Sequence, residues 1–298
     1  MKVLEVKNAV KSFKNKKVLK GINFSMNENE ILGFLGRNGA GKSTLMKLTC
    51  GLLNLDDGDI LVMGESIKNN RVKVLENLGV SIENPALYNN LTGRENLKLM
   101  ANWRKVDKKR LSEMEEYSRL EHNLDRIVSN YSMGMKMRLM MAMVLMAKPK
   151  VLLLDEVFNG LDPDGVIELR DELINLRNNG SSILLSSHQL SEVEKISDRI
   201  VFIEKGEVVF DGKIDQRVGN ENIYRIKTMD NQKIKQALKI NIELKDSDKI
   251  NRENYVEFKA NEKNLAPILE QISKISPILD IEKDYVTLEE IYRRIIKN

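Results

Sequence analysis

Short apolar runs separated by polar turns recur along the first two thirds of the chain, with two different periods. Residues 3–6 and 18–26 alternate apolar and polar positions, the pattern of antiparallel strands with one buried face. Residues 31–35 and 151–154 are instead almost continuously apolar, which predicts strands buried on both faces. Further strands are predicted at 59–63, 79–83, 182–186, 200–204 and 208–211. Helical spacing marks 45–53, 93–103, 107–120, 132–147, 164–178 and 188–197. Strands that alternate with helices predict an α/β core whose parallel sheet is covered on both faces.

The pattern changes near residue 215, where Lys, Asn, Asp and Ile become dominant. Strands are predicted at 223–227, 242–245, 255–259 and 278–283, and helices at 231–238, 262–275 and 288–296. A β-α-β-β-α-β order followed by a helix predicts a small ferredoxin-like α+β accessory domain. The expected division is therefore a domain at 1–214 and an accessory domain at 215–298.

Composition narrows the class. Of 298 residues 42% are hydrophobic, enough for a sizeable core, and the net charge of +4 is small for that length. A dedicated nucleic-acid binder carries a concentrated basic face, so no nucleic-acid partner is expected. The single cysteine, Cys50, excludes an internal disulfide and sits among apolar neighbours that predict a packing role. The two histidines, His122 and His188, have no ligand cluster around them in sequence. Residues 1–8 are charged and strand-like, unlike a signal peptide. The longest apolar run, 139–147, is far short of the ~20 residues a membrane helix needs.

Chemistry concentrates at two strand ends. Gly36-Arg37-Asn38-Gly39-Ala40-Gly41-Lys42-Ser43-Thr44 fits G-x-x-x-x-G-K-[ST] and lies between a predicted strand and a predicted helix. The glycines let backbone N–H groups wrap a phosphate at a helix N-terminus. Lys42 supplies a charge to the β- and γ-phosphates, and Ser43 a hydroxyl to Mg²⁺. The second strand end is Asp155-Glu156, after Val151-Leu152-Leu153-Leu154. Asp155 at the tip can hold Mg²⁺, and Glu156 could polarise a water in line with the γ-phosphate. Alone, such an acidic pair is as readily a surface feature; after the phosphate loop it points to hydrolysis of a nucleoside triphosphate.

Five segments in order carry a family resemblance: the phosphate loop, Tyr131-Ser132-Met133-Gly134-Met135, the Asp155-Glu156 strand, Asn159-Gly160-Leu161-Asp162, and Ser187-His188. Over residues 1–214 the chain resembles an ABC-type ATPase subunit. The resemblance implies an ATPase core with antiparallel β and helical subdomains, with ATP and Mg²⁺ as ligands. Ser132 and Gly134 match the signature usually read L-S-G-G-Q, while Met133 and Met135 depart from it. An S-x-G before an apolar helix is also an ordinary helix cap. In the family the signature completes the site of the opposite subunit, which implies a head-to-tail dimer with a second ATPase subunit. His188 resembles the switch histidine that contacts the γ-phosphate, and Asp162 the aspartate that links the two sites. Phe13 stands where the family places an aromatic that stacks on adenine.

Two departures stand out. Val157-Phe158 replaces a frequent Pro-Thr pair, with a packing change as its expected consequence. Glu83 stands where most members carry a glutamine that touches metal and water and relays events to the membrane subunit. Glutamate there, and the ending Val286-Thr287-Leu288-Glu289-Glu290-Ile291-Tyr292, are similar to bacitracin- and lantibiotic-resistance export ATPases. The resemblance implies a cytoplasmic subunit, peripheral on the inner membrane face, that powers export through hydrophobic permease subunits. Residues 84–103 would receive their coupling helix, with Leu87, Tyr88, Leu91 and Trp103 as contacts or as the subdomain's own core. Two other readings stay open: a soluble ABC ATPase outside transport, and a slow nucleotide-sensing module.

Overall fold

The structure, a computed structural model, describes residues 1–14, 16–82, 86–213, 222–230, 233–234, 255–260, 262–284, 288 and 292. Contacts divide the chain into two units, Met1–Ile214 and Asp215–Asn298. In the first unit, β1 (Lys2–Phe13) pairs antiparallel with β2 (Lys16–Asn27) and with β4 (Asp57–Val62). Both leading strands outrun the segments predicted. Polar residues prolong β1 past the alternating segment, and the register shifts between Val6 and Ala9. There Asn8 adopts φ 50 and its N–H is held by the Asn23 side chain at 2.9 Å. A two-residue strand, β5 (Glu65–Ser66), completes this sheet.

The second sheet is mixed. β3 (Ile31–Gly36) lies between β8 (Ser182–Ser186) and β9 (Arg199–Glu204), parallel to both. β7 (Val151–Asp155) and β6 (Leu78–Ser81) extend it in parallel, and β10 (Glu207–Lys213) closes the other edge antiparallel to β9. Side chains of a strand alternate between faces. Leu32 and Phe34 enter a core shared with Leu4, Ile22 and Ile60 of the first sheet and with Leu45 and Met46 of α1 (Lys42–Thr49). Phe24 and Phe34 stack at 5.3 Å across that core. Gly33 faces the opposite way, toward Val193 of α7 (Leu190–Ile196), which would lie 2.7 Å from an added Cβ. α6 (Pro163–Asn178) packs beside α7, so both faces of the sheet are covered.

A helical subdomain is built from α3 (Gly93–Arg104), α4 (Lys108–Tyr117) and α5 (Met133–Val144). Thr92 and Glu95 close a reciprocal cap on α3, satisfying two helix-end donors. Arg110 donates to the carbonyls of Leu145 and Met146 just past the C-terminus of α5, tying α4 to it. Arg104 donates to Leu75 and Leu78, tying the subdomain to the sheet through β6. The helix α2 (Arg71–Glu76) and two short 3-10 turns at Glu121–Asp125 and Val128–Asn130 have no counterpart in the periodicity. Among the described residues no helix is long and apolar enough to cross a membrane.

In the second unit β11 (Asn222–Thr228) lies between β12 (Tyr255–Ala260) and β13 (Ile278–Asp284), antiparallel to both. β12 and β13 therefore run parallel, joined by α8 (Glu262–Ile275). Tyr224 stacks on its cross-strand partner Phe258 at 5.7 Å over a small core with Ile226, Val256 and Ile272. The segments expected at 231–238, 242–245 and 288–296 lie wholly or largely outside the described residues.

Candidate functional site

The phosphate loop joins β3 to α1. Helix α1 begins at Lys42, three residues before the position predicted, and ends at Thr49, because Gly51 turns the chain with φ 70. Gly41 precedes it with φ 115, where an L side chain is strained and an added Cβ would meet Leu19 Cδ2 at 2.5 Å. The first-turn N–H groups of α1 have no intrahelical acceptors and face the loop, as an anion site requires. Gly36 ends the strand, Asn38 and Gly39 are exposed at the loop tip, and Thr44 is half-buried in the first turn. The Lys42 ammonium folds back to donate to Gly36 O at 2.8 Å and Arg37 O at 3.4 Å. Burial pulls its pKa below the ordinary lysine value, opposed by the negative charges of Glu156 and Asp155.

β7, separated from β3 by β8, delivers the carboxylates at its end. Ser43 Oγ donates to Asp155 Oδ2 at 2.7 Å. The other oxygen, Asp155 Oδ1, is buried without a hydrogen-bond partner. An unpaired buried carboxylate oxygen is costly, so its retention beside a hydroxyl calls for a ligand. A carboxylate and a hydroxyl are the hard oxygen donors that suit Mg²⁺, and these residues fit that ion.

Glu156 follows in the left-handed region, φ 54, while its N–H still donates to Ser186 O at 2.8 Å on β8. Strained backbone held by its surroundings is a mark of functional positions. Glu156 Oε2 accepts from the backbone N–H of His188 at 3.2 Å and meets its Nδ1 at 2.7 Å. His188 does not open a helix, as its predicted range implied. It precedes α7, anchored by Glu156, with its side chain 57% exposed.

Ser132, Gly134 and Asp162 belong to a second group. Ser132 is the N-cap of α5, not its first residue, and accepts from Met135 N at 3.2 Å. Asp162 caps α6, accepting from Gly165 N at 3.0 Å. All three line one cleft between α5 and α6. Met133, one of the departures from the signature, lies so close to Gly160 that an added Cβ there would meet Met133 Cγ at 3.2 Å. The structure thus gathers Lys42, Ser43, Asp155, Glu156 and His188 in one place and these three residues in another.

Phe13 ends β1, 43% exposed, with the Lys11 ammonium 5.6 Å from its ring centre. Tyr88 and Trp103 stack edge to face at 6.2 Å. They are 44% and 58% exposed, so Trp103 is not in the subdomain's core. Glu83 lies outside the described residues. The sequence reading missed Glu172, which lines the same cleft as Ser132. Its signal was available: with Leu169, Leu173 and Leu176 it completes an i, i+3, i+4, i+7 stripe in which it is the sole acid.

Comparison with known proteins identifies the family. The family model described as ABC transporter matches residues 19–159. The ABC transporter ATP-binding protein YhcH of Bacillus subtilis (strain 168) is 42% identical, covering 74% of this chain and 72% of that protein. The bacitracin transport ATP-binding protein BcrA of Enterococcus faecalis is 39% identical over 72% of this chain and 70% of its own length. The lantibiotic transport ATP-binding protein SrtF of Streptococcus pyogenes is 35% identical over 74% and 94%. A solved ATP-binding subunit of an ABC transporter superposes with TM-score 0.67 at 30% identity, covering 72% of this chain and 91% of that one. Subunits of this kind bind ATP, dimerise and work with membrane permeases. The chain belongs to the ABC transporter ATP-binding proteins, a family that hydrolyses ATP.

Proposed function

We propose that this chain hydrolyses Mg-ATP to drive export of a peptide antibiotic through separate hydrophobic membrane subunits. The observation that carries the chemistry is the run Ser43–Asp155–Glu156–His188, in which one Asp155 oxygen waits without a partner. Lys42 would bind the β- and γ-phosphates, with loop N–H groups of residues 36–44 around them. Ser43 and Asp155 would hold Mg²⁺, which supplies positive charge for the phosphate oxygens. Glu156 accepts the proton of a water as its oxygen bonds to the γ-phosphorus and the bond to ADP breaks. His188 holds and orients Glu156 and leaves it to meet the γ-phosphate. Phe13 stacks on adenine, and Glu83 contacts metal and water.

Ser132 and Gly134 act on ATP bound by a second ATPase subunit, with Asp162 at the junction. Their separation from Lys42 within one chain supports this. The exposed Tyr88–Trp103 pair offers an apolar face to a permease, which would place the protein in the cytoplasm against the membrane. The parallel β12–α8–β13 crossover with β11 between supports a ferredoxin-like C-terminal domain at 215–298, following the ATPase domain at 1–214. The transport names of BcrA and SrtF support the export reading over a non-transport ATPase or a slow nucleotide sensor.

The test is resistance. A bacitracin-sensitive host expressing this chain with its permease subunits should tolerate more bacitracin or a lantibiotic. The Glu156→Gln chain should confer none. Equal resistance from both would end the reading. Glu83→Ala should lower permease-stimulated hydrolysis more than ATP affinity, whereas Glu83→Gln should preserve both.

A further inference from the structure

The cleft between α4, α5 and α6 has a volume of about 860 Å³, within the range of small-molecule sites. Its walls are of two kinds. Met133, Met137 and Met141 of α5 face Leu169 and Leu176 of α6, an apolar and adaptable lining. Two polar atoms in that lining are buried without a hydrogen-bond partner: Tyr117 Oη on α4 and Glu172 Oε1 on α6. Nothing in the family chemistry described above uses either. Glu172 is half-buried, and its one buried, unpaired oxygen in a leucine stripe weakens the helix packing.

Charge decides what the cleft takes. From α4 and the turn after it come Glu116 and Arg119; from α5 comes Arg138. Arg138 is committed to Glu168, 2.6 Å away. α6 itself adds Asp164 and Asp171, and Asp162 caps it. Carboxylates outnumber guanidiniums, so a cation is favoured and an anion repelled. We infer that the α4–α5–α6 cleft binds a small amphiphilic amine, its ammonium donating to Glu172 and its apolar body lying among the methionines. Tyr117 Oη, able to donate or accept, would take a second polar group of the ligand. This inference does not rest on the transport reading, in which Glu172 and Tyr117 have no part.

Burial pushes the Glu172 carboxyl up to about 7. An ammonium ligand needs the ionised form, so its affinity should be present above that value and fall as pH drops through it. Between pH 8 and pH 6 the ionised fraction of such a group falls about tenfold. The probe is 4-phenylbutylamine, titrated calorimetrically into the full chain, with the neutral 4-phenylbutanol as comparison. The amine is expected to bind about tenfold more tightly at pH 8 than at pH 6, and more tightly than the alcohol at pH 8. Glu172→Gln, near in shape to wild type, should remove the pH dependence and weaken amine binding at least tenfold at pH 8. Glu207→Gln, an exposed carboxylate outside the cleft, should leave it within about twofold. No binding at millimolar amine, equal binding of the alcohol, or an unchanged Glu172→Gln affinity in a protein with a wild-type melting profile would each overturn the inference.

Discussion

The nucleotide loop with its carboxylate strand and the α5–α6 cleft lie in one folded unit, yet their polar groups are connected to different degrees. Around the loop the polar groups are linked to one another, and Asp155 Oδ1 is left open. Lys42 is bonded to loop carbonyls, Ser43 to Asp155, and Glu156 to His188. In the cleft Ser132 and Asp162 do little more than cap helices, and Tyr117 and Glu172 have unpaired buried atoms. The first region is preorganised within the chain, and preorganised groups stabilise a transition state without reorganising when it forms. The second is a surface awaiting something from outside, whether a second subunit at its Ser132 end or a ligand at its Glu172 end.

Breaking the preorganised region should have the larger effect. Glu156→Gln should lower ATP turnover by about 10²-fold or more while Mg-ATP affinity is kept, as for removal of a general base. Turnover and equilibrium binding on the same protein check this. Breaking the awaiting region should matter only across subunits. Ser132→Arg alone should lose hydrolysis, and mixing it with Lys42→Ala should restore at most one intact site per mixed dimer. Normal hydrolysis by a concentrated Ser132→Arg homodimer would refute completion of the site by the partner.

Smaller effects sharpen the contrast through stability. The folded state holds a proton on Glu172 more tightly than the unfolded chain, for which the ordinary value is 4.5. That contribution is fully present below about 4.5 and is lost as pH rises through about 7. Glu172→Gln should therefore stabilise the protein above pH 7, by on the order of 2–3 kcal/mol, and flatten the pH dependence between 5 and 8. Urea unfolding at several pH values measures it. The smallest effect is expected at Phe13, an exposed ring at a strand end. Phe13→Ala should weaken ATP binding several-fold, in line with loss of one stacking contact worth ~1 kcal/mol, with turnover at saturation unchanged.

Much of this is legible in the sequence. The continuous apolar runs at 31–35 and 151–154 became the central strands β3 and β7, since a strand buried on both faces has no polar side to show. α8 occupies the range its amphipathic spacing marked. Helix ends were less legible, because caps and left-handed residues decide them. Ser132 was read into a helix that it caps, and His188 into a helix that it precedes. The second strand of the C-terminal order and Glu83 fall outside the described residues, so their sequence readings stand as proposals.

The sequence by itself determined which residue types stand at the strand ends and that the loop after β3 has a phosphate-binding pattern. Local spacing carries such information, because a loop of glycines before a helix is built from neighbours. Tertiary structure alone decided the pairings. Ser43 meets Asp155 across 112 positions, and Glu156 meets His188 across 32. Those contacts exist because parallel pairing of β3, β8 and β7 brings their ends to one edge of the sheet. Tertiary packing likewise left Asp155 and Glu172 each with a buried, unpaired oxygen, since the other elements around a side chain, not its own helix or strand, decide whether it finds a partner.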